Sequence, residues 1–384
     1  MNAYSCRCET EKPGMLLMHR PGNEIKISFF NPEFWGYESA RCRPEEMLES
    51  CRSEHDYAVQ RLREECDVVL VGDLLEARKP ELEKYVEEMA REVYDKAGDD
   101  AIRRAVCEIG KGRYNATDIL VQGLEIIPWF YGKEYRKKEK IYSLLARFRD
   151  AFVPMNQLYF TQDSVITAPN GLVKPKMAMK RRNREADLME ILLGSGAYCY
   201  SFKSACEGGD FTMNDGIALV GIGMVGGDTC MSEIFGDEFM EATGVRDVVA
   251  FYEPDIMGAA PYPSGNLMHL DTIMQPAAHG VLLANIAMLK KCTAVEYKTG
   301  KQTNAYEWAE KNFEIIPAEE YLGMNGIPLG GRFASSADAK QTNYNLQRAG
   351  IEVLELPAAN LKKGGGNWHC MSAYLMPAAE AELA

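Results

Sequence analysis

The sequence predicts an α/β fold, and three successive segments support that prediction. Met15–Met18 is a short apolar run followed by His-Arg-Pro-Gly, a pattern typical of a buried strand that ends in a turn. Apolar residues then recur at helical spacing from Glu54 to Cys66, which indicates a surface helix. Val68–Val71 is apolar, rich in β-branched residues and followed by Gly-Asp, which indicates a central strand. Strand, helix and strand in this order are typical of α/β folds.

A helical segment follows, from residue 79 to residue 150. Its apolar residues recur at helical spacing, with charged residues between them. They include Leu82, Val86, Met89 and Val93. We therefore predict one catalytic domain formed by residues 1–78 and 151–384, with residues 79–150 as a helical insertion.

Strand patterns resume after this segment, and turns rich in glycine, proline and asparagine separate them. The predicted strands are Leu158–Thr161, Ser164–Thr167, Ile217–Val220, Val248–Phe251, Val281–Leu283 and Ile351–Leu356. No sequence repeat and no low-complexity linker divides them, so we expect them all to belong to one domain.

Composition limits the classes of function. The 384-residue chain has a formal net charge of −13, which disfavours a nucleic-acid binder that neutralises phosphates. No apolar run approaches the roughly 20 residues of a membrane helix, and no secretion signal is recognised, so we expect no membrane partner. The 11 cysteines are then expected to be reduced thiols in the cytoplasm. Cys6 and Cys8 lack a second ligand pair at metal-binding spacing, so we predict no metal site.

Four short clusters of reactive side chains stand in predicted loops. They are Phe160–Asp163, Glu207–Asp210, His269–Thr272 and the glycine-rich stretch Gly364–Ser372, which contains Cys370. Each has a purely structural alternative, because Glu-Gly-Gly-Asp is a common turn and a free cysteine is often simply buried. Together, however, they supply a thiol, an imidazole and several carboxylates.

This combination suits chemistry on a planar cation. Two carboxylates can hold a guanidinium through bidentate charged hydrogen bonds, and a thiolate can attack its central carbon. An imidazole can protonate the leaving nitrogen and then activate water. If His269-x-Asp271 is extended, both side chains point to one face, as a base and a clamp for one substrate require.

The four motifs resemble those of the arginine deiminase family, which belongs to the superfamily of guanidino-group-modifying enzymes. Gln157–Asp163, Glu207–Asp210, Met268–Thr272 and Gly364–Ser372 match the family pattern in order, and Met18–Gly22 resembles its opening strand and turn. The helical insertion also distinguishes this family from its shorter relatives. The resemblance covers nearly the whole chain.

The resemblance implies a five-bladed α/β propeller, the pentein fold, with a helical insertion and the site on the pseudo-axis. It implies Cys370 as nucleophile, His269 as general acid and base, and Glu207 as the group that orients His269. It implies no metal and no organic cofactor. The implied substrate-binding residues are Asp163, Asp271, Phe160, Arg182, Arg184 and Asp210. The implied reaction passes through a thiouronium-type bond to Cys370 and gives a ureido product such as citrulline.

Departures from the family pattern concern the substrate. Gln157 and Gln162 replace an asparagine and an arginine, and Val225 replaces an arginine that helps to hold the substrate α-carboxylate. Losing one charged hydrogen bond costs on the order of 1.5–3 kcal/mol. Arg182, Arg184 or Lys363 could take over that contact.

L-arginine is therefore the leading expected substrate, and a small guanidino compound without a carboxylate, such as agmatine, is the main alternative. An amidinotransferase would use the same cysteine and histidine, and a non-catalytic binding relative is a third possibility. The sequence leaves both a monomer and a homo-oligomer open.

Overall fold

The computed structural model describes residues 4–6, 8–30, 43–96, 121, 155–214, 216–225, 228–230, 236–253 and 269–375. Its helices are α1 (Pro44–Leu62), α2 (Val71–Ala77), α3 (Lys79–Lys96), α4 (Thr161–Ser164), α5 (Asn183–Leu193), α6 (Asp237–Thr243), α7 (Ile286–Leu289), α8 (Ala305–Asn312) and α9 (Lys340–Arg348). Short 3₁₀ turns lie at Asn23–Phe30, Lys180–Arg182, Ser195–Ala197, Gly208–Asp210, Leu270–Thr272 and Leu361–Gly364.

The strands are short, and most are largely buried. In the first half of the chain they are β1 (Met15–Met18), β2 (Asp67–Leu70), β3 (Ile166–Ala168), β4 (Gly171–Lys174), β5 (Tyr198–Ser201), β6 (Phe211–Asn214), β7 (Ile217–Gly221), β8 (Gly223–Val225), β9 (Asp228–Cys230) and β10 (Asp247–Tyr252). Those that follow are β11 (Met274–Ala278), β12 (Val281–Ala284), β13 (Thr293–Glu296), β14 (Gln302–Asn304), β15 (Glu314–Pro317), β16 (Ile327–Pro328), β17 (Arg332–Ser336), β18 (Glu352–Leu356) and β19 (Ala373–Tyr374).

One strand arrangement recurs five times within the described residues. Two antiparallel strands are followed by a helix and by a third strand, which pairs in parallel with the second. We call each occurrence a unit. The units are β3-β4-α5-β5, β6-β7-α6-β10, β11-β12-α8-β15, β16-β17-α9-β18 and β19-β1-α1-β2. The last unit joins two distant parts of the sequence, because β19 pairs with β1.

In the second unit, helix α6 packs against its own sheet and against the residue that follows β5. Phe239 of α6 stacks 6.1 Å from the Phe202 ring and meets the Phe211 ring edge-on at 5.1 Å. Burying such a side chain is worth roughly 1.5–3 kcal/mol. Gly244 then ends α6 with a left-handed φ of 80°, and its N–H donates to the Met240 carbonyl. This α/β layering confirms the predicted fold class.

The predicted helical insertion is only partly described. Helix α3 begins it at Lys79, and Val121 is also described, whereas the other residues of 97–150 lie outside the described residues. Leu82, Val86 and Val121 pack in one buried cluster with Leu17 of β1. The start of this segment therefore packs against β1. In the described part of the chain, no helix combines the length and apolar character needed to cross a membrane.

Two predictions of local structure are corrected. Leu158–Thr161 is not a strand: Phe160 donates its N–H to the Gln157 carbonyl in a turn, and α4 begins at Thr161. A four-residue apolar run signals burial without distinguishing a strand from a turn. The first long helix begins at Pro44 instead of Glu54, because proline is well accepted at a first helical position.

Candidate active site

The four clusters of reactive side chains occupy equivalent positions in the fold. Each lies just before the first strand of a unit, so the recurring arrangement delivers them to the same region. In chain order they are Phe160–Asp163 before β3, Glu207–Asp210 before β6, His269–Thr272 before β11 and Gly364–Ser372 before β19. The side-chain contacts below show that they converge on one buried site.

Cys370 lies in this site as a buried thiol. Its Sγ donates a hydrogen bond to Asp271 Oδ2 at 3.2 Å. Burial, and then the charges of Asp271 and Asp163, raise the pKa of the Cys370 thiol well above its ordinary value. The thiol is therefore neutral near pH 7 unless a cation lies beside it.

Gly366 explains the glycine run that precedes the thiol. A Cβ at Gly366 would lie 2.6 Å from Phe160 Cε1, 2.8 Å from Cys370 Cβ and 3.0 Å from its Sγ. Only glycine lets the backbone pass this close. The Phe160 ring, predicted to bind substrate, thus lies beside the nucleophile, and its centroid is 4.0 Å from that of Tyr159.

His269 lies among three carboxyl groups. Its Nε2 donates to Glu207 Oε2 at 3.1 Å, while Nδ1 lies 3.4 Å from Asp163 Oδ1 and Nε2 lies 3.8 Å from Asp210 Oδ1. Burial lowers the pKa of His269, but these charges outweigh it and raise that pKa well above the ordinary value. The ring is therefore an imidazolium, ready to donate a proton.

Glu207, predicted to orient His269, is held by several hydrogen bonds. Its Oε1 accepts from the Ala178 N–H at 2.8 Å, and its own N–H donates to Asp210 Oδ2 at 2.7 Å. Asp210 was predicted to bind substrate; the structure places it as a cap on the turn that carries Glu207. Burial raises the pKa of Glu207, but the hydrogen bond from His269 and the charge of Arg182 have the larger effect. The pKa of Glu207 is therefore below its ordinary value.

Arg182 also lies in this site, bonded to its carboxylates. Its Nη1 donates to Asp163 Oδ2 at 3.0 Å and to Glu207 Oε2 at 3.2 Å, and its Nε donates to Glu185 Oε2 at 3.0 Å. Arg182 was predicted as a candidate for the substrate carboxylate, yet all these contacts are with acids of the protein. Arg184, a second of the three candidates, is buried, and burial lowers its pKa more than the nearby Tyr85 and Asp187 raise it.

The geometry of His269 and Asp271 differs from the prediction. Residues 270–272 form a 3₁₀ turn, so the segment is not extended. Both side chains nevertheless face the site: His269 faces Glu207 and Asp163, and Asp271 faces Cys370. The turn, instead of strand alternation, brings them together.

Sequence reasoning missed Asn325, which joins two of the clusters. Its Oδ1 accepts from the N–H groups of Asn367 and Cys370 at 2.8 and 3.2 Å, and its Nδ2 donates to the Asp271 carbonyl at 2.9 Å. Its own carbonyl accepts from the His369 N–H at 3.2 Å. Asn325 lies just before β16, the first strand of the β16-β17-α9-β18 unit. The four clusters lie just before the first strands of the other units, so this shared position could have identified Asn325.

Sequence reasoning also missed a buried chain of groups behind Asp271. His369 Nδ1 donates to Asp271 Oδ2 at 2.8 Å, and His369 Nε2 donates to Glu9 Oε2 at 3.2 Å. Burial lowers the pKa of His369, but these two acids raise it to about 10. Burial raises the pKa of Asp271, but His369, His269 and Cys370 lower it more, so Asp271 is ionised. Glu9 is more than 350 residues from its partner, so no local pattern indicates it.

Two oxygens of the site accept no hydrogen bond from the described residues. They are Asp163 Oδ1 and Asp271 Oδ1, and both are buried. They belong to the two acids predicted to hold a guanidinium. Unpaired buried carboxylate oxygens are costly, and a cation with several N–H donors would satisfy both.

A metal ion is a second chemical fit for part of this site. Asp163, Glu207 and His269 each offer a ligand atom, and these atoms lie within 4.8 Å of one another. The Arg182 guanidinium already contacts the first two, however, so a cation is in place there. The donor set therefore favours a guanidinium over a metal.

The sequence is similar to those of known proteins. The model of the family described as arginine deiminase matches residues 46–327. An arginine deiminase of Bacillus thuringiensis subsp. konkukian (strain 97-27) is 23% identical over 411 residues, covering 93% of this chain and 94% of that protein. An arginine deiminase of Latilactobacillus sakei subsp. sakei (strain 23K) is 24% identical over 60% of this chain, which spans only 63% of that relative's length.

Solved structures show the same fold at low sequence identity. The N-terminal domain of ArgZ bound to product, described as an arginine dihydrolase from the ornithine-ammonia cycle in cyanobacteria, has a TM-score of 0.56 at 14% identity. That alignment covers 94% of this chain and 97% of the ArgZ domain. The structure of unliganded AgrE has a TM-score of 0.56 at 15% identity. That alignment covers 94% of this chain and 39% of the AgrE chain. The α/β fold is therefore shared with these proteins.

Proposed function

Because the chain belongs to the arginine deiminase family, we propose that it hydrolyses the guanidinium group of a small substrate through a covalent bond to Cys370. One observation carries this proposal: Asp163 Oδ1 and Asp271 Oδ1 are buried and accept no hydrogen bond from the described residues, and they belong to acids that lie beside an imidazolium and a thiol. A guanidinium presents N–H donors in a plane and can bond both acids at once.

The first half of the reaction uses the contacts of Cys370 and His269. A bound guanidinium places positive charge beside the thiol and so lowers the pKa that burial and Asp271 raise. Sγ then adds to the guanidinium carbon while its proton passes to Asp271, along the existing 3.2 Å hydrogen bond. His269 donates its proton to one nitrogen, which leaves as ammonia with the electrons of its C–N bond.

The second half reverses these roles. His269, now neutral, takes a proton from water, and the hydroxide adds to the thiouronium carbon. The C–S bond breaks, sulfur keeps the electron pair, and Asp271 returns a proton to it. The hydroxyl group loses its proton as the carbonyl forms. This proton converts the released ammonia into ammonium, so the overall reaction balances. Glu207 holds the imidazole throughout.

L-arginine is the substrate we propose first, because the family is described as arginine deiminase and the ArgZ neighbour as an arginine dihydrolase. Agmatine is the alternative that one observation favours: Nε and Nη1 of Arg182 are already bonded to Asp163, Glu185 and Glu207, which leaves fewer donors for a substrate carboxylate. The Val225 side chain lies outside the described residues. The two substrates must therefore be compared directly.

We further propose that the five units close into a five-bladed α/β propeller, with residues 79–150 inserted between the β19-β1-α1-β2 and β3-β4-α5-β5 units. The convergence of the segments before β3, β6, β11, β16 and β19 on one site supports this closure. Reduced thiols support a cytoplasmic enzyme, since the eight cysteines whose side chains the structure describes are all free. A crystal structure would test the closure.

The test of function measures ammonia and ureido product from purified protein, with L-arginine and agmatine in parallel. The expected result is one ammonia per ureido product and loss of at least about 10³-fold in kcat for Cys370→Ala. Two ammonia molecules per substrate would indicate a dihydrolase, and an amidinated product with added glycine or ornithine would indicate a transferase. Full activity of Cys370→Ala would overturn the proposed mechanism.

A further inference from the structure

A line of buried hydrogen bonds leads from the nucleophile to a residue that precedes β1. Cys370 Sγ and His369 Nδ1 both donate to Asp271 Oδ2, and His369 Nε2 donates to Glu9 Oε2. We propose that Glu9 is a positioning residue that keeps His369 doubly protonated, so that His369 holds Asp271 ionised and oriented beside Cys370. Its kinetic consequence rests on the proposed function, whereas its effect on His369 does not.

The geometry defines the protonation of His369. A carboxylate accepts hydrogen bonds and cannot donate them, so an imidazole between two carboxylates must carry a hydrogen on both nitrogens. The distances are 2.8 Å to Asp271 and 3.2 Å to Glu9, and the ring is fully buried. Removing the Glu9 charge leaves one acid for the ring, and the neutral tautomer then suffices.

Glu9 is itself fixed where it can do this. Its Oε2 also accepts from Gln275 Nε2 of β11 at 3.0 Å, and its N–H donates to the Met213 carbonyl of β6 at 3.1 Å. Residues of two units therefore position this carboxylate. Its side chain is buried, so water does not substitute for the lost charge.

Other titratable groups near this line are neutral or already accounted for. The Tyr374 ring lies 6.4 Å from His369, and burial raises the pKa of Tyr374 well above its ordinary value. Cys6, on the same segment as Glu9, is likewise kept neutral because burial raises its pKa. The Cys8 thiol donates to Asn214 Oδ1. Glu9 and Asp271 are therefore the acids that determine the charge of His369.

A purely structural role for Glu9 makes a different prediction. If Glu9 only anchored the segment before β1, its loss would lower thermal stability and activity equally at every pH. A positioning role through His369 instead shifts the titration of one imidazole and makes the activity loss depend on pH. The two roles can therefore be separated by measurement.

The first experiment follows His369 by NMR with isotope-labelled histidine, which gives signals from only five residues. The His369→Gln variant identifies the signal. In the parent protein we expect the pKa of His369 to be about 10, so that the ring is doubly protonated below that pH. In Glu9→Gln we expect its acid dissociation constant to rise at least about tenfold, which lowers the titration midpoint by one pH unit or more. Glu11→Gln, which removes the same charge from the same segment, should leave the signal unchanged.

The second experiment measures kcat and KM from pH 6 to 9.5. Glu9→Gln should lose activity mainly above neutral pH, by about tenfold in kcat/KM, and Glu9→Asp should recover part of it. In a His369→Gln background, Glu9→Gln should cause no further loss. A parent-like His369 titration in Glu9→Gln would overturn the inference, whatever the activity. If the parent protein turns over no guanidino compound but the titration shifts, the proposed function fails while the role of Glu9 stands.

Discussion

Cys370 and Asp271 share a hydrogen bond of 3.2 Å in which the thiol is the donor. The same Asp271 oxygen accepts from His369 at 2.8 Å, so it is an ionised acceptor beside a neutral nucleophile. The hydrogen bond from the thiol lowers the pKa of Asp271, and the charge of Asp271 raises the pKa of Cys370. The thiol thus stays protonated until a further positive charge, that of a bound substrate, lies beside it, which would link substrate binding to nucleophile formation.

We expect Cys370 to distinguish alkylating agents by charge. Chloroacetamidine, an amidinium cation, should alkylate Cys370 faster than uncharged chloroacetamide of nearly the same size. In Asp271→Asn the ratio of the two rates should fall by about tenfold or more, because a charged hydrogen bond is worth about 1.5–3 kcal/mol. Mass spectrometry of the Cys370 peptide measures both rates. Asp56→Asn, at the surface, is the control, and an unchanged ratio in Asp271→Asn would contradict the assignment.

Asn325→Ala should weaken both stability and activity. The variant leaves the N–H groups of Asn367 and Cys370 buried without their acceptor, which costs about 1–3 kcal/mol for each. Urea unfolding and kcat measure the two effects. Asn345→Ala in α9 removes an exposed bond accepted from Gln341 and a bond donated to the Pro317 carbonyl, far from the site, and should cost less and spare kcat. Equal kcat in the Asn325 variant and the parent would show that the loops hold their positions without it.

Gly366→Ala should reduce kcat by about 100-fold, because its Cβ would displace Phe160 or Cys370 by a fraction of an ångström to an ångström. Gly72→Ala is the matched control: no atom lies within 4 Å of a Cβ there. That variant should keep full activity. The prediction is wrong if the two variants turn over substrate at the same rate.

Stability should fall as pH rises above 6.5, and His369 should account for part of the fall. The pKa of His369 is raised to about 10, so the folded protein keeps a proton that the unfolded chain releases above about pH 6.5. Its stabilisation is complete below that pH and is lost as pH rises toward 10. Between pH 6.5 and 8.5 the loss is about 2–3 kcal/mol.

Urea unfolding across this range, below the pH at which buried thiols and tyrosines add their own effect, measures that loss. His369→Gln should flatten the dependence, whereas His279→Gln, at the exposed turn between β11 and β12, should not. Equal slopes for His369→Gln and the parent protein would mean that His369 is neutral in the folded state.

The reactive groups themselves were largely predictable from the sequence. Cys370, His269, Glu207, Asp163 and Asp271 stand in short motifs, and the structure brings all five together. These residues converge because each motif lies just before the first strand of a unit. The sequence pattern predicts the limits of these strands only approximately.

What the sequence could not provide is the support behind these groups. Asn325 and Glu9 act through contacts with residues 45 and 360 positions away, and a buried asparagine or glutamate has no local signature. The contacts of Arg182 with acids of the protein were also not foreseen. A motif shows which residue is present, but only the fold shows that Glu185 and Glu207 hold its guanidinium.

The pairing of β1 with β19 has a consequence for biosynthesis. Leu16 leaves the ribosome long before Tyr374, the residue that it pairs with, has been translated. Until then, one side of β1 is an unpaired sheet edge, the kind of surface that invites association with other nascent chains. The nucleophile enters the fold in the same late step that covers this edge. A nascent chain therefore acquires catalytic capacity and protection from aggregation together.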